Sequence, residues 1–140
     1  MDNWPEYACA ILVDSEGFLL LESRPDTARL APGQLTCFGG RREAGETPEQ
    51  CLRRELREEL CWEPQTVTKQ IELWVGGKLI AWFYLAELDV PISQLRALPN
   101  HQALLVARSA LPGHPVSPWH AATLNAWLEG QSIVQLDAKS

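Results

Sequence analysis

The chain has 140 residues, 46% of them hydrophobic and 21% charged, with a formal net charge of −6. Such a composition excludes a disordered or fibrous chain and is read as one domain, 1–140, large enough to bury a core without covalent staples. The acidic balance argues against stable nucleic-acid binding, which needs a surplus of lysine and arginine; a free nucleotide needs only a local patch and a metal.

No apolar run approaches the roughly 20 residues of a membrane span. The start, MDNWPEYACAILVD, lacks the basic and long apolar segments of a secretory leader, so a cytoplasmic protein off the membrane is expected. Cys9, Cys37, Cys51 and Cys61 stand without a CxxC pair, which points to reduced thiols rather than disulfides or zinc.

In chain order, YACAILVD (7–14) and FLLLESR (18–24) read as neighbouring strands across a short turn. Residues 25–45 are rich in Pro, Gly and Arg around the apolar piece LTCF, and read as a long loop of the kind that carries function. A helix is predicted over about 47–60, with Thr47 as N-cap, Pro48 in the first turn, Gln50 completing a capping box and Pro64 beyond its end. Leu52, Leu56 and Leu60 give it an apolar stripe.

Gly76-Gly77 then separates two alternating runs, the signal of a tight hairpin. Val67, Ile71, Leu73 and Val75 are expected to share one set of faces, with Leu79, Ala81, Phe83 and Leu85 on the partner strand. ALLVA (103–107) is a candidate short strand, and a second helix is expected over about 117–129, closed by Gly130. The fold class expected is α/β, a mixed sheet with helices packed on its faces.

Chemistry is concentrated in RRELREELCW, Arg53 to Trp62. With Glu55 at zero on a helical wheel, Glu58 lies near −60° and Glu59 near +40°, so three carboxylates project from one side and repel. A solvated helix face is the ordinary reading of such a run. Upstream, FGGRREAGE adds a Gly-rich turn able to approach a ligand closely, two arginines and a further acid, Glu46. Carboxylates in this number suit a hard divalent cation, and with the loop they are parts for polyphosphate chemistry.

GRREAGETPEQCLRRELREELCW, Gly40 to Trp62, resembles the Nudix box: Gly, five residues, Glu, seven residues, Arg-Glu, an aliphatic, any residue, Glu-Glu, any residue, Gly and an aliphatic. Gly40, Glu46, Arg54, Glu55, Leu56, Glu58 and Glu59 fall in place. The resemblance implies a Nudix-like α/β/α sandwich. It also implies a hydrolase that cleaves a nucleoside diphosphate linked to another group, by attack of water on phosphorus with magnesium or manganese bound. Nucleoside triphosphates are slightly favoured because the chain is short.

Carried over by position, Glu55, Glu58 and Glu59 are the metal-binding acids, and Glu55 or a neighbour takes the proton from water. Glu46 supports or binds a further metal, and the Gly40 carbonyl is a candidate ligand. Arg54 orients the glutamates rather than touching substrate. Arg24, Arg41, Arg42 and His101 are candidate substrate contacts, and Trp74, Trp82 and Trp119 are candidate stacking partners for a base. A homodimer is left open.

Three departures from the family pattern stand out. Cys61 occupies the place of a glycine, a strained choice if that position is left-handed. Phe38 replaces a common proline. Between Asp89 and Glu129 there is no Asp or Glu, although many relatives place an acid in the loop that here reads LPNHQALL; only Asn100, His101 and Gln102 are polar there. That absence keeps alive a second expectation, a catalytically weak module of the same fold that binds a nucleotide or a partner protein. A third, a structural domain with an acidic solvated helix, fits fewer of the box positions.

Overall fold

The structure, a computed structural model, describes residues 3–99 and 101–138. Asn100 lies outside the described residues. Strand β1 (Tyr7–Val13) turns into β2 (Leu19–Ser23), followed by β3 (Leu35–Thr36), β4 (Phe38–Arg41) and helix α1 (Pro48–Leu60). The hairpin β5 (Thr68–Val75) and β6 (Lys78–Glu87) leads to β7 (Gln102–Val106), helix α2 (Pro118–Leu128) and β8 (Ile133–Leu136). The strands form one mixed sheet, ordered β3-β2-β1-β6-β5-β8, with β4 on β1 and β7 on β2.

Alternation along the strands divides the core between the two faces. Cys9, Ile11, Leu19, Leu21, Ala81 and Phe83 pack with Leu124 and Ala126 of α2. Ala8, Ala10, Leu12, Leu20, Tyr84 and Ala86 pack with Leu52, Leu56 and Leu60 of α1. One helix therefore covers each face, as the expected mixed α/β architecture requires. The three leucines of α1 are fully buried, and each contributes about 1.5–3 kcal/mol of apolar burial. Among the described residues, no helix is long and apolar enough to cross a membrane.

The hairpin turns at Gly76 and Gly77, both at positive φ (59° and 79°), a conformation that suits the strand twist and favours glycine. Two expectations are corrected here, and a strand is added. A bulge between Lys69 and Ile71 shifts the register of β5, so Val67 packs with the α1 face while Ile71, Leu73 and Val75 pack with the other. A second shift near Trp74 buries Ile80 instead of Leu79. The C-terminal β8, which follows Gly130 closely and pairs parallel with β5, was not anticipated.

The expected loop 25–45 is also partly a sheet. Strands β1 and β2 pair only near their turn, at Leu12–Leu20 and Val13–Leu19. Beyond it they diverge, β4 pairing with the first half of β1 and β3 with the end of β2. Gly39 and Gly40, read from sequence as a turn, belong to β4. A Cβ on Gly39 would collide with the Ala8 carbonyl and Cys9 Cα, so only glycine lets β4 approach β1 this closely.

Candidate metal and nucleotide site

Helix α1 starts where its sequence directs. Thr47 Oγ1 accepts from Gln50 N at 3.1 Å, Gln50 Oε1 accepts from Thr47 N at 2.9 Å, and Pro48 occupies the first turn. With the leucine stripe turned into the sheet, the acids are graded by depth. The Glu58 side chain is 58% exposed, that of Glu55 17%; Glu59 is buried.

Arg54 holds this cluster together. Its Nε and Nη2 donate to Glu46 Oε2 and Oε1 at 2.6 and 3.0 Å, a two-point pair. Nη1 donates to Glu55 Oε1 at 2.9 Å and lies 3.3 Å from Glu58 Oε2, while Nη2 also donates to the Arg41 carbonyl at 3.1 Å. The Arg54 hydrogen bonds hold the Glu46 carboxyl down at about 2. Both Glu46 oxygens are engaged, Oε1 also accepting from Glu43 N. The Gly40 carbonyl lies 3.5 Å from Cys51 Sγ.

Glu59 is short of positive charge. Its Oε1 accepts from Gly39 N at 3.1 Å. Burial first, then the negative charges of Glu22 and Glu55, push its carboxyl up to about 9. Burial likewise raises Glu55, whose carboxyl group lies against Gly40 so closely that a Cβ there would collide with it. Carboxyl groups gathered in this number, with excess negative charge, have the oxygen chemistry that suits a divalent cation. Among the described residues no three carboxylate, imidazole or thiol groups form a ready cation cage; Glu55 and Glu58 are drawn to Arg54 instead.

Beside this cluster opens a cleft of about 680 Å³, lined by Arg24, Asp26, Thr27, Gly33, His101 and Gln102 among others. The structure thus brings together two of the four predicted substrate contacts, Arg24 and His101. The other two lie elsewhere. Arg41 is exposed and pairs with Glu6 at 3.2 Å. Arg42 donates to the carbonyls of Pro5 and Glu46 and stacks on Trp4.

None of the three candidate tryptophans lines the cleft. Trp74 donates to Glu72, Trp82 lies under the Lys69 ammonium, and Trp119 packs on the α2 side of the core. All four cysteines are free thiols.

Sequence reasoning missed Glu22. This residue of β2 is 2% exposed, bonds to Arg24 and His101, and is close enough to Glu59 to raise it. Its signal was available: a lone acid in the apolar run FLLLESR, two residues from Leu20 and so on the face that α1 covers.

A family model, the NUDIX domain, matches residues 4–76, just over half of the chain. The chain belongs to the Nudix family. Its Nudix box is the stretch that carries Arg54 and the graded glutamates. Nucleoside triphosphatase NudI of Salmonella agona is 40% identical over 63 residues, covering 45% of this chain and 43% of that protein. The match therefore spans less than half the length of that relative.

Among solved structures, a Nudix hydrolase from M. smegmatis, RenU, superposes with a TM-score of 0.71 at 20% identity over 89% of this chain and 84% of that one. The NUDIX domain of Shewanella oneidensis NrtR, solved with ADP ribose, gives 0.72 at 14% identity over 92% and 89%. These two likenesses establish the Nudix fold and nothing finer.

Proposed function

We propose that the protein is a divalent-cation-dependent pyrophosphohydrolase of small nucleotides, with nucleoside triphosphates as the favoured substrates. The observation that carries this reading is the buried carboxyl of Glu59, which feels the negative charges of Glu55 and Glu22 and the positive charge of Arg24, a residue that lines the cleft together with His101. The likeness to a nucleoside triphosphatase over 63 residues supports the substrate class.

In this reading Glu55, Glu58 and Glu59 hold magnesium or manganese, with the Gly40 carbonyl as a further candidate ligand. A bound cation supplies a water of lowered pKa and neutralises phosphate charge. Arg54 keeps the carboxylates oriented from behind, and Glu46, fully engaged by Arg54, acts as its brace in the cation-free protein. Glu55, half-buried and adjacent to Gly40, is the proposed acceptor of the proton from the attacking water. Arg24 and His101 receive the nucleotide; Arg41 and Arg42 are left to loop structure.

A nucleotide-binding module without turnover is the second reading, favoured by the acid-free stretch between Asp89 and Glu129. A phosphate-release screen decides between them, run over nucleoside triphosphates, nucleotide sugars, ADP-ribose and dinucleotides, with magnesium and with chelator. Cation-dependent release from a triphosphate is expected. A folded, magnesium-binding protein that turns over none of these would overturn the hydrolase reading in favour of the module.

A further inference from the structure

Glu22 divides its two oxygens between two residues of the cleft. Oε1 accepts from Arg24 Nη1 at 3.0 Å, with Thr36 Oγ1 at 3.5 Å, and Oε2 lies 2.7 Å from His101 Nδ1. Sheet register explains how residues so distant in sequence meet. Antiparallel pairing of β2 with β7 sets Glu22 opposite Ala103 and Ser23 opposite Gln102, and the next step of that register sets Arg24 opposite His101. Two side chains able to carry positive charge, placed opposite one another, repel. The carboxylate two residues before Arg24 reaches between them.

What this leaves unbonded is informative. Arg24 Nε donates to the Leu30 carbonyl at 2.7 Å and Nη1 to Glu22, so Nη2 has no protein partner among the described residues. A carboxylate only accepts, so the His101 hydrogen belongs on Nδ1 and Nε2 is left over. Both residues line the cleft. A guanidinium N–H donates to phosphate oxygens, and His101 joins it when the ring also takes a proton at Nε2, since the imidazolium donates from both nitrogens, Nδ1 to Glu22 and Nε2 to the phosphate.

The geometry points to Glu22 as a positioning residue for phosphate recognition, a clamp that fixes Arg24 and His101 as one unit with Nη2 and Nε2 turned to a single phosphate group of the substrate. This rests on the nucleotide reading above and adds to it the site at which that phosphate is held. Glu22 touches no substrate in this scheme. Its effect passes through Arg24 and His101.

Two measurements test the clamp without using turnover. In the first, nitrogen-detected NMR of the wild-type imidazoles at mildly alkaline pH, with His101 assigned by His101→Ala, is expected to show the Nδ1–H tautomer. A dominant Nε2–H tautomer, or an unbiased mixture, overturns the clamp, and this reading stands even if Glu22 variants fail to fold.

In the second, inorganic pyrophosphate is titrated calorimetrically into the magnesium-loaded protein. Glu22→Gln is expected to weaken binding about tenfold, as loss of an orienting partner does. The same change is expected to do nothing further in an Arg24→Ala, His101→Ala background. An equal loss in both backgrounds, or no loss in the wild type, refutes positioning. Absence of pyrophosphate binding by the wild type refutes the phosphate assignment. A protein inert in the phosphate-release screen that still shows the tautomer and the coupled pyrophosphate binding would sink the hydrolase reading and keep the clamp.

Discussion

Arg54 and Glu46 form a two-point ion pair, Nε to Oε2 at 2.6 Å and Nη2 to Oε1 at 3.0 Å, that ties helix α1 to the loop before it. The same guanidinium reaches Glu55 and Glu58, so one planar group sets three carboxylates. Lysine keeps the charge but cannot make the fork. Arg54→Lys is therefore expected to lower turnover about 10- to 100-fold at saturating magnesium and to destabilise the protein by about 1–2 kcal/mol. Steady-state kinetics and urea unfolding measure both, and a variant with wild-type turnover would show that the fork orients nothing.

Glu59 is the residue at which stability and activity should part. With chelator present its carboxyl is buried beside the negative charges of Glu22 and Glu55, so at neutral pH folding has to load a proton onto it, which costs stability. Glutamine fills the same space, can still accept from Gly39 N and carries no charge. Glu59→Gln is expected to stabilise the cation-free protein by about 1–3 kcal/mol, to abolish most of the rise in melting temperature on adding magnesium, and to cut turnover about 100-fold or more. Melting curves with magnesium and with chelator read the first two. A variant less stable than wild type in chelator, still stabilised by magnesium, would remove Glu59 from the metal site.

How far the sequence reached depends on whether the determining contacts are local. Helix α1 was legible to its cap because Thr47, Pro48, Gln50 and the leucines lie within one continuous segment. The same holds for Arg54 and the glutamates, set by helical spacing alone. The cleft was half legible. Arg24 and His101 could be named as residues, and Glu22 stood out as a lone acid in an apolar run, but its partnership with His101 became visible only when β2 paired with β7 and brought positions 79 apart within 2.7 Å. Gly39 and Gly40 misled for a related reason, since their strand conformation comes from the approach of β1 and not from any propensity of their own. At β8, four residues are too few for a periodic pattern, and the strand exists because β5 offers an open edge.

Cys61 ends α1 in the left-handed region, φ 54° and ψ 38°, and is exposed. Its N–H closes on the Arg57 carbonyl at 3.0 Å, a bond any residue makes, so the side chain brings steric cost without a compensating contact. Glycine relieves that cost but adds freedom to the unfolded chain, leaving a net gain of about 0.5–1 kcal/mol. Cys61→Gly is expected to raise the unfolding free energy by that amount, read as a higher urea midpoint, with turnover unchanged. A lower midpoint would mean that the thiol contributes something the left-handed cap does not reveal.

His120 links the second helix to the junction of β3 and β4, just before the box, and it does so as a neutral ring. Its Nδ1 accepts from Cys37 N at 3.1 Å, its face meets the edge geometry of Phe83 at 78°, and burial, then the charge of Arg24, lower its pKa to about 4. An unfolded histidine titrates near 6.5. Below that pH the unfolded chain takes up a proton that the folded ring refuses, so stability falls as pH drops from about 6.5 and the loss levels off below about 4. Between pH 7 and pH 5 this amounts to about 2 kcal/mol.

Carboxylates titrate nearby in the same range, so the share of His120 is isolated by difference. His120→Gln retains an acceptor for Cys37 N and has no proton to gain. Wild type is expected to lose about 2 kcal/mol more than the variant on going from pH 7 to pH 5 in chemical unfolding, and parallel pH profiles would show that His120 takes up its proton within the folded protein.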